Sequence, residues 1–133
     1  MVNKFSINYK IESKSLYPRI NIIRNPYTLF PMVSQLIIDH LSEEKIEIEE
    51  IKRLWLHQAN KSMNDFIGKK VLGRVPEEHE QPNILQDYAN TSSAGSIIAF
   101  SLYSQDMKSN EVGVLCSFGA GYSAGSIILR KVS

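Results

Sequence analysis

Cysteine is almost missing from this sequence: Cys116 stands alone among 133 residues. A single cysteine excludes an internal disulfide and fits a reducing compartment, so the cytoplasm is the expected location. With one cysteine and three scattered histidines there is no zinc-ligand spacing, and neither a metal nor another cofactor is expected. Excess charge is lacking too. The formal net charge is +1, which gives no electrostatic reason to expect nucleic acid or an anionic membrane as partner. No apolar run approaches the roughly 20 residues that span a bilayer. Met1 to Lys10 lacks the apolar core of a secretory signal. Internal repeats and low-complexity tracts are absent as well.

What remains is an ordinary globular composition, 43% hydrophobic and 22% charged, which argues against disorder and for one modest core. Residues 1–28 are weakly patterned, broken by Pro18 and Pro26, and read as an arm or short strands. The domain is expected over 29–133. Leu29, Val33, Leu36, Ile37 and Leu41 share one side of a helix over Leu29–Leu41, with Pro31 in its first turn. Ser42–Glu50 is acidic and reads as a loop with a short helical turn. Leu54-Trp55-Leu56 suits a strand buried on both faces. Asn60 can cap a helix running to about Lys70, with Gly73 just past its end. Arg74–Pro82 reads as an exposed loop.

The small residues Ser93–Ser96 let a helix approach neighbouring backbones, and Ile97-Ile98-Ala99-Phe100 after them predicts a central, buried helix. Asn110-Glu111 reads as a turn. Val112–Phe118 and Tyr122–Val132 read as a strand hairpin joined at Gly119-Ala120-Gly121. Helices alternating with strands give an α/β fold class, with helices on both faces of a mainly parallel sheet that has one antiparallel edge.

Three segments stand out, and each has a bland explanation by itself. His57 follows a buried strand, where parallel sheets place ligands, but a lone histidine there is more often structural. Asn90 before a helix is most simply a cap or turn residue. Gly119-Ala120-Gly121 is most simply a hairpin connection.

Taken in order, Trp55-Leu56-His57-Gln58-Ala59-Asn60, Tyr88-Ala89-Asn90-Thr91-Ser92-Ser93-Ala94-Gly95-Ser96 and Ser117-Phe118-Gly119-Ala120-Gly121-Tyr122 resemble β-ketoacyl-acyl-carrier-protein synthase III and its condensing-enzyme relatives. The resemblance runs from about Leu29 to the C-terminus. It implies the C-terminal half of a thiolase-like fold, with a mixed sheet. It also implies a Cys-His-Asn triad, in which His57 matches the histidine and Asn90 the asparagine. Both would donate hydrogen bonds to the malonyl thioester oxygen as CO₂ leaves, each worth on the order of 3 kcal/mol. His57 would need one ring nitrogen to fix its tautomer and the other to donate. Its apolar neighbours should keep it neutral.

The glycine turn matches a backbone oxyanion site, assigned to Ala120 with Gly119 and Gly121 on either side. Asn60 is expected to be a helix cap in structural support. No nucleophile is expected in this chain, because Cys116 lies in an aliphatic run and reads as a small buried hydrophobe. By resemblance the partners are acyl-carrier-protein thioesters, with either a homo-oligomer or a Cys-bearing thiolase-type protein completing the fold. Two other readings stay open on sequence: a non-catalytic interaction module, and a folded remnant without activity.

Overall fold

The structure is a computed structural model of the chain and describes residues 9–16, 26–119 and 123–132. Four strands form one sheet in the order β1-β4-β3-β2: β1 Tyr9–Leu16, β2 Ile51–Leu56, β3 Val112–Gly119 and β4 Ser123–Lys131. Four helices accompany them: α1 Pro26–Glu43, α2 Lys61–Leu72, α3 Leu85–Tyr88 and α4 Ala94–Leu102. A single 3-10 turn at Ile48–Glu50 leads into β2.

The period-2 alternation of the strands sorts the core into two layers. Leu54, Leu56, Val112, Val114, Cys116, Phe118, Ala124 and Ile128 meet Val33, Leu36, Ile37 and Leu41 of α1 and Ile67 and Val71 of α2. The alternate residues Trp55, Leu115 and Leu129 face the other way, against Ala99 of α4, Ile84 and Met107. Helices therefore lie on both faces of a mixed sheet. Each fully buried aliphatic side chain contributes about 1.5–3 kcal/mol, and β2 is buried on both sides as its unbroken apolar run predicts.

The polarity of the sheet differs from expectation. Among the described residues only β2 and β3 run parallel; β3–β4 and β1–β4 are antiparallel. The reason is β1, whose eight residues pair with β4 from Tyr9↔Lys131 to Leu16↔Ala124. This partner lies at the far end of the sequence, beyond any local pattern. The helix α1 begins at Pro26, so Pro31 sits in its second turn rather than its first. There the missing N–H leaves the carbonyl of residue 27 without its helical partner. Helix α4 is not buried all round. Gly95, Ser96 and Ala99 face the sheet, whereas Ile97 is 55% and Leu102 47% exposed.

Local signals set α2 as read: Asn60 accepts from the Met63 N–H at 2.9 Å, and Gly73 closes the helix at φ +71°. The loop after α2 is stapled by Arg74, whose guanidinium forks onto Glu80. That pairing holds the Glu80 carboxyl down at about 2. Beside the staple, the Glu80 carbonyl accepts the Leu54 N–H at 2.7 Å, covering part of the β2 edge.

Candidate active site

The β2–β3 ladder sets the position of His57. Its backbone N–H donates to the Cys116 carbonyl at 2.8 Å, one step past the end of β2. The imidazole is 5% exposed and lies against the Phe118 ring, with centroids 4.6 Å apart and planes tilted by 37°. Burial lowers its pKa from the ordinary 6.5, so the ring is neutral at pH 7. Nδ1 is buried and no described residue hydrogen-bonds to it. The expected partner that would fix the tautomer is therefore not found among the described residues.

Gln58, next in the chain, is fully buried and spends its carboxamide on backbone. Nε2 donates to Leu56 O at 2.9 Å and to Pro82 O at 3.4 Å, and Oε1 accepts the Ile84 N–H at 3.1 Å. Its methylenes lie under the first turn of α4: a Cβ on Gly95 would come within 2.8 Å of Gln58 Cβ and 3.0 Å of Cγ. Glycine at 95 is what lets the helix come this close.

Asn90 occupies a strained turn. Ala89 has φ +55° with ψ −162°, and Ser92 has φ +59°. Both lie where residues with a Cβ are costly, roughly 1–3 kcal/mol each. Between them the Asn90 Oδ1 accepts the Ser92 N–H at 3.0 Å, an Asx turn. This engages the acceptor end of the carboxamide. The NH₂ end makes no hydrogen bond to a described residue, and Asn90 is exposed.

The third segment is tied in by Ser117, whose hydroxyl meets Ser96 Oγ and donates to Ser93 O at 3.3 Å. Ser117 lies two residues before Gly119, the last residue of β3, which pairs with Ser123. Ala120 and Gly121 lie outside the described residues. The three motif segments thus contact one another pairwise. The His57 ring lies against Phe118, Gln58 meets Gly95, and Ser117 meets Ser93 and Ser96. Gln58, Ser96 and Ser117 lie within the three motifs, but spacing predicts no role for them; the run of small residues at 93–96 is the one signal that a close approach occurs there.

Cys116 points into the α1/α2 core layer, fully buried, and burial pushes its thiol up to about 12. A thiol so shielded does not readily form the thiolate that a nucleophile needs. Among the described residues no group of three or more His, Cys, Asp or Glu could hold a metal ion. No helix of the described residues is long and apolar enough to cross a membrane. A cavity of about 640 Å³ lies at the opposite, amino end of β2, lined by Ile51, Arg53, Arg74, Glu80, Asp106 and Glu111. Arg53 and Arg74 there are already paired with Asp106 and Glu80.

Comparison with known proteins fits this geometry. Residues 41–131 match the 3-oxoacyl-[acyl-carrier-protein] synthase III C-terminal family. A β-ketodecanoyl-[acyl-carrier-protein] synthase of Pseudomonas aeruginosa is 58% identical over 101 residues, covering 76% of this chain and 29% of that protein. A β-ketoacyl-[acyl-carrier-protein] synthase III of Clostridium perfringens is 33% identical over 101 residues, 74% of this chain and 30% of its own length. This chain therefore spans under a third of these relatives. Among solved structures, the Aquifex aeolicus 3-oxoacyl-[acyl-carrier-protein] synthase III superposes with a TM-score of 0.67 at 22% identity, over 76% of this chain and 32% of that one. Xanthomonas campestris OleA gives 0.71 at 16% identity, over 92% and 37%. Those two likenesses show a shared fold, here thiolase-like. With more than half its residues matched and its fold in agreement, the chain belongs to the family of 3-oxoacyl-[acyl-carrier-protein] synthase III C-terminal domains.

Proposed function

We propose that this chain supplies the enolate-stabilising half of a decarboxylating condensing site in fatty-acid synthesis. His57 and Asn90 are its two neutral hydrogen-bond donors. Loss of CO₂ from a malonyl-carrier-protein thioester leaves negative charge on the thioester oxygen. Donors fixed in advance at that oxygen lower the barrier without reorganising as the charge appears. The enolate carbon then attacks an acyl-enzyme thioester, the new carbon–carbon bond forms, and the cysteine thiolate leaves. The Ala120 N–H, flanked by Gly119 and Gly121, would hold the oxyanion of that second step.

The observation that carries this reading is the donor bias at Asn90. Its oxygen is turned back onto the Ser92 N–H, so the NH₂ is the end of the carboxamide left to face outward. The neutral state of His57 supports the same role. The nucleophilic cysteine has to come from outside these 133 residues, since Cys116 is buried. The 58% identical relative is named for a β-ketodecanoyl product. We take a medium-chain acyl thioester, two carbons shorter than such a product, as the primer.

The test is reconstitution with the Cys-bearing part of the Pseudomonas aeruginosa relative, added as a separate chain. A β-ketoacyl product formed by the pair, and by neither piece alone, supports the reading. Product from this chain alone, or none from a pair shown to associate, contradicts it.

A second reading has its own observation. The outward side of α4 carries Ile97 and Leu102, both about half exposed, beside Ala94 and Ser101. An uncovered apolar strip of this kind favours association, and we propose that either a Cys-bearing thiolase-type chain or a second copy covers it. A monomer by light scattering that binds no hydrophobic dye would contradict association.

A further inference from the structure

We propose that Gln58 is a positioning residue that sets Asn90 relative to His57, an inference that rests on the donor roles given to those two residues above. His57 and Asn90 belong to segments that share no strand or helix, so something must fix their spacing to the tolerance that catalysis demands. A misplacement of about 1 Å can cost on the order of 10²-fold in rate.

Gln58 is the neighbour of His57 and is anchored to the same strand end through Leu56 O. Its other two polar contacts, Pro82 O and Ile84 N–H, hold the stretch that leads through α3 to Asn90. Its methylenes fill the space that a Cβ on Gly95 would need, and Thr91 Oγ1 would lie 3.2 Å from that same Cβ. One fully buried side chain thus touches the approach to Asn90 from before and the helix start from after it. Both amide N–H groups and the amide oxygen are used, so no other residue type reproduces the set. Glutamate keeps the shape but turns two donors into acceptors facing the Leu56 and Pro82 carbonyls. Ala89 and Ser92, the two positive-φ residues of the turn, lie between the two stretches that Gln58 holds.

The experiment is ¹⁵N NMR on the chain and its Gln58→Glu variant, following the Asn90 carboxamide and the Ser92 amide. The Met63 amide, held by the Asn60 cap, is the internal reference. We expect the Asn90 and Ser92 resonances to shift or broaden while Met63 stays. Movement at Ile84 alone, with Asn90 and Ser92 unchanged, would overturn the proposal. Should Gln58→Glu fail to fold, Gly95→Ala presses on the same contact from the opposite side, and the same two outcomes decide. In the reconstituted pair, Gln58→Glu should lower kcat about 10-fold or more with KM little changed. Because the NMR readout does not depend on turnover, a shifted Asn90 in an inactive pair would fault the donor roles and leave the clamp standing.

Discussion

The backbone N–H of His57 donates to the carbonyl of Cys116 at 2.8 Å, so the candidate catalytic histidine leaves the sheet at the point where its ladder ends. The strand ladder fixes the backbone up to that bond, and beyond it the imidazole packs in a buried position against the Phe118 ring. The cysteine of the pair takes part only through its carbonyl.

The buried imidazole makes stability depend on pH. Its folded pKa lies below the unfolded 6.5, so the unfolded chain binds the proton more readily. Above pH 6.5 the group has no effect. As pH falls from 6.5 toward the lower folded value, stability is lost. Urea unfolding at pH 7.5 and pH 5.5 should show a larger loss for the natural chain than for His57→Gln. Equal losses would mean that the ring is solvated. The separate loss from Glu80 falls below pH 4.5, outside this window.

Strain at Ala89 gives a second prediction. Glycine tolerates φ +55° with ψ −162°, so Ala89→Gly relieves about 1–3 kcal/mol and costs about 0.5–1 kcal/mol in unfolded-chain entropy. A net gain of about 1 kcal/mol should raise Tm by about 4 °C. An unchanged or lowered Tm would show that the turn is relaxed.

Trp55 lies across Gly113 of the neighbouring strand, where an added Cβ would overlap its ring. Gly113→Ala should destabilise by about 1–3 kcal/mol through overpacking. A denaturation midpoint within error of the natural chain would contradict that packing.

Cys116, with its thiol pushed up to about 12, should resist thiol reagents at pH 8 until the chain is unfolded. Labelling of the native chain at the rate of an exposed thiol would place it at the surface.

What the sequence made legible is what neighbours decide. The Leu54-Trp55-Leu56 run, the Asn60 cap, the Gly73 stop and the β3–β4 hairpin are all set by residues a few positions apart. The order of the three motifs carried the resemblance that the family match supports. Non-local features were not legible. The partner of β1 lies at the other end of the chain, so local pattern does not carry the sheet's polarity. The exposure of α4 depends on which elements cover it, and an apolar stretch cannot say so. Gln58 shows no pattern of its own, because its partners Pro82 and Ile84 are 24 and 26 residues away.

The most direct measurement is CO₂ release from carboxyl-labelled malonyl-carrier protein by the reconstituted pair, alongside acyl loading of the cysteine. His57→Ala and Asn90→Ala should each slow CO₂ release by about 10²–10³-fold while loading proceeds at the natural rate. Release at the natural rate in either variant, or a loss confined to loading, would contradict the assignment of these two side chains to the malonyl thioester oxygen.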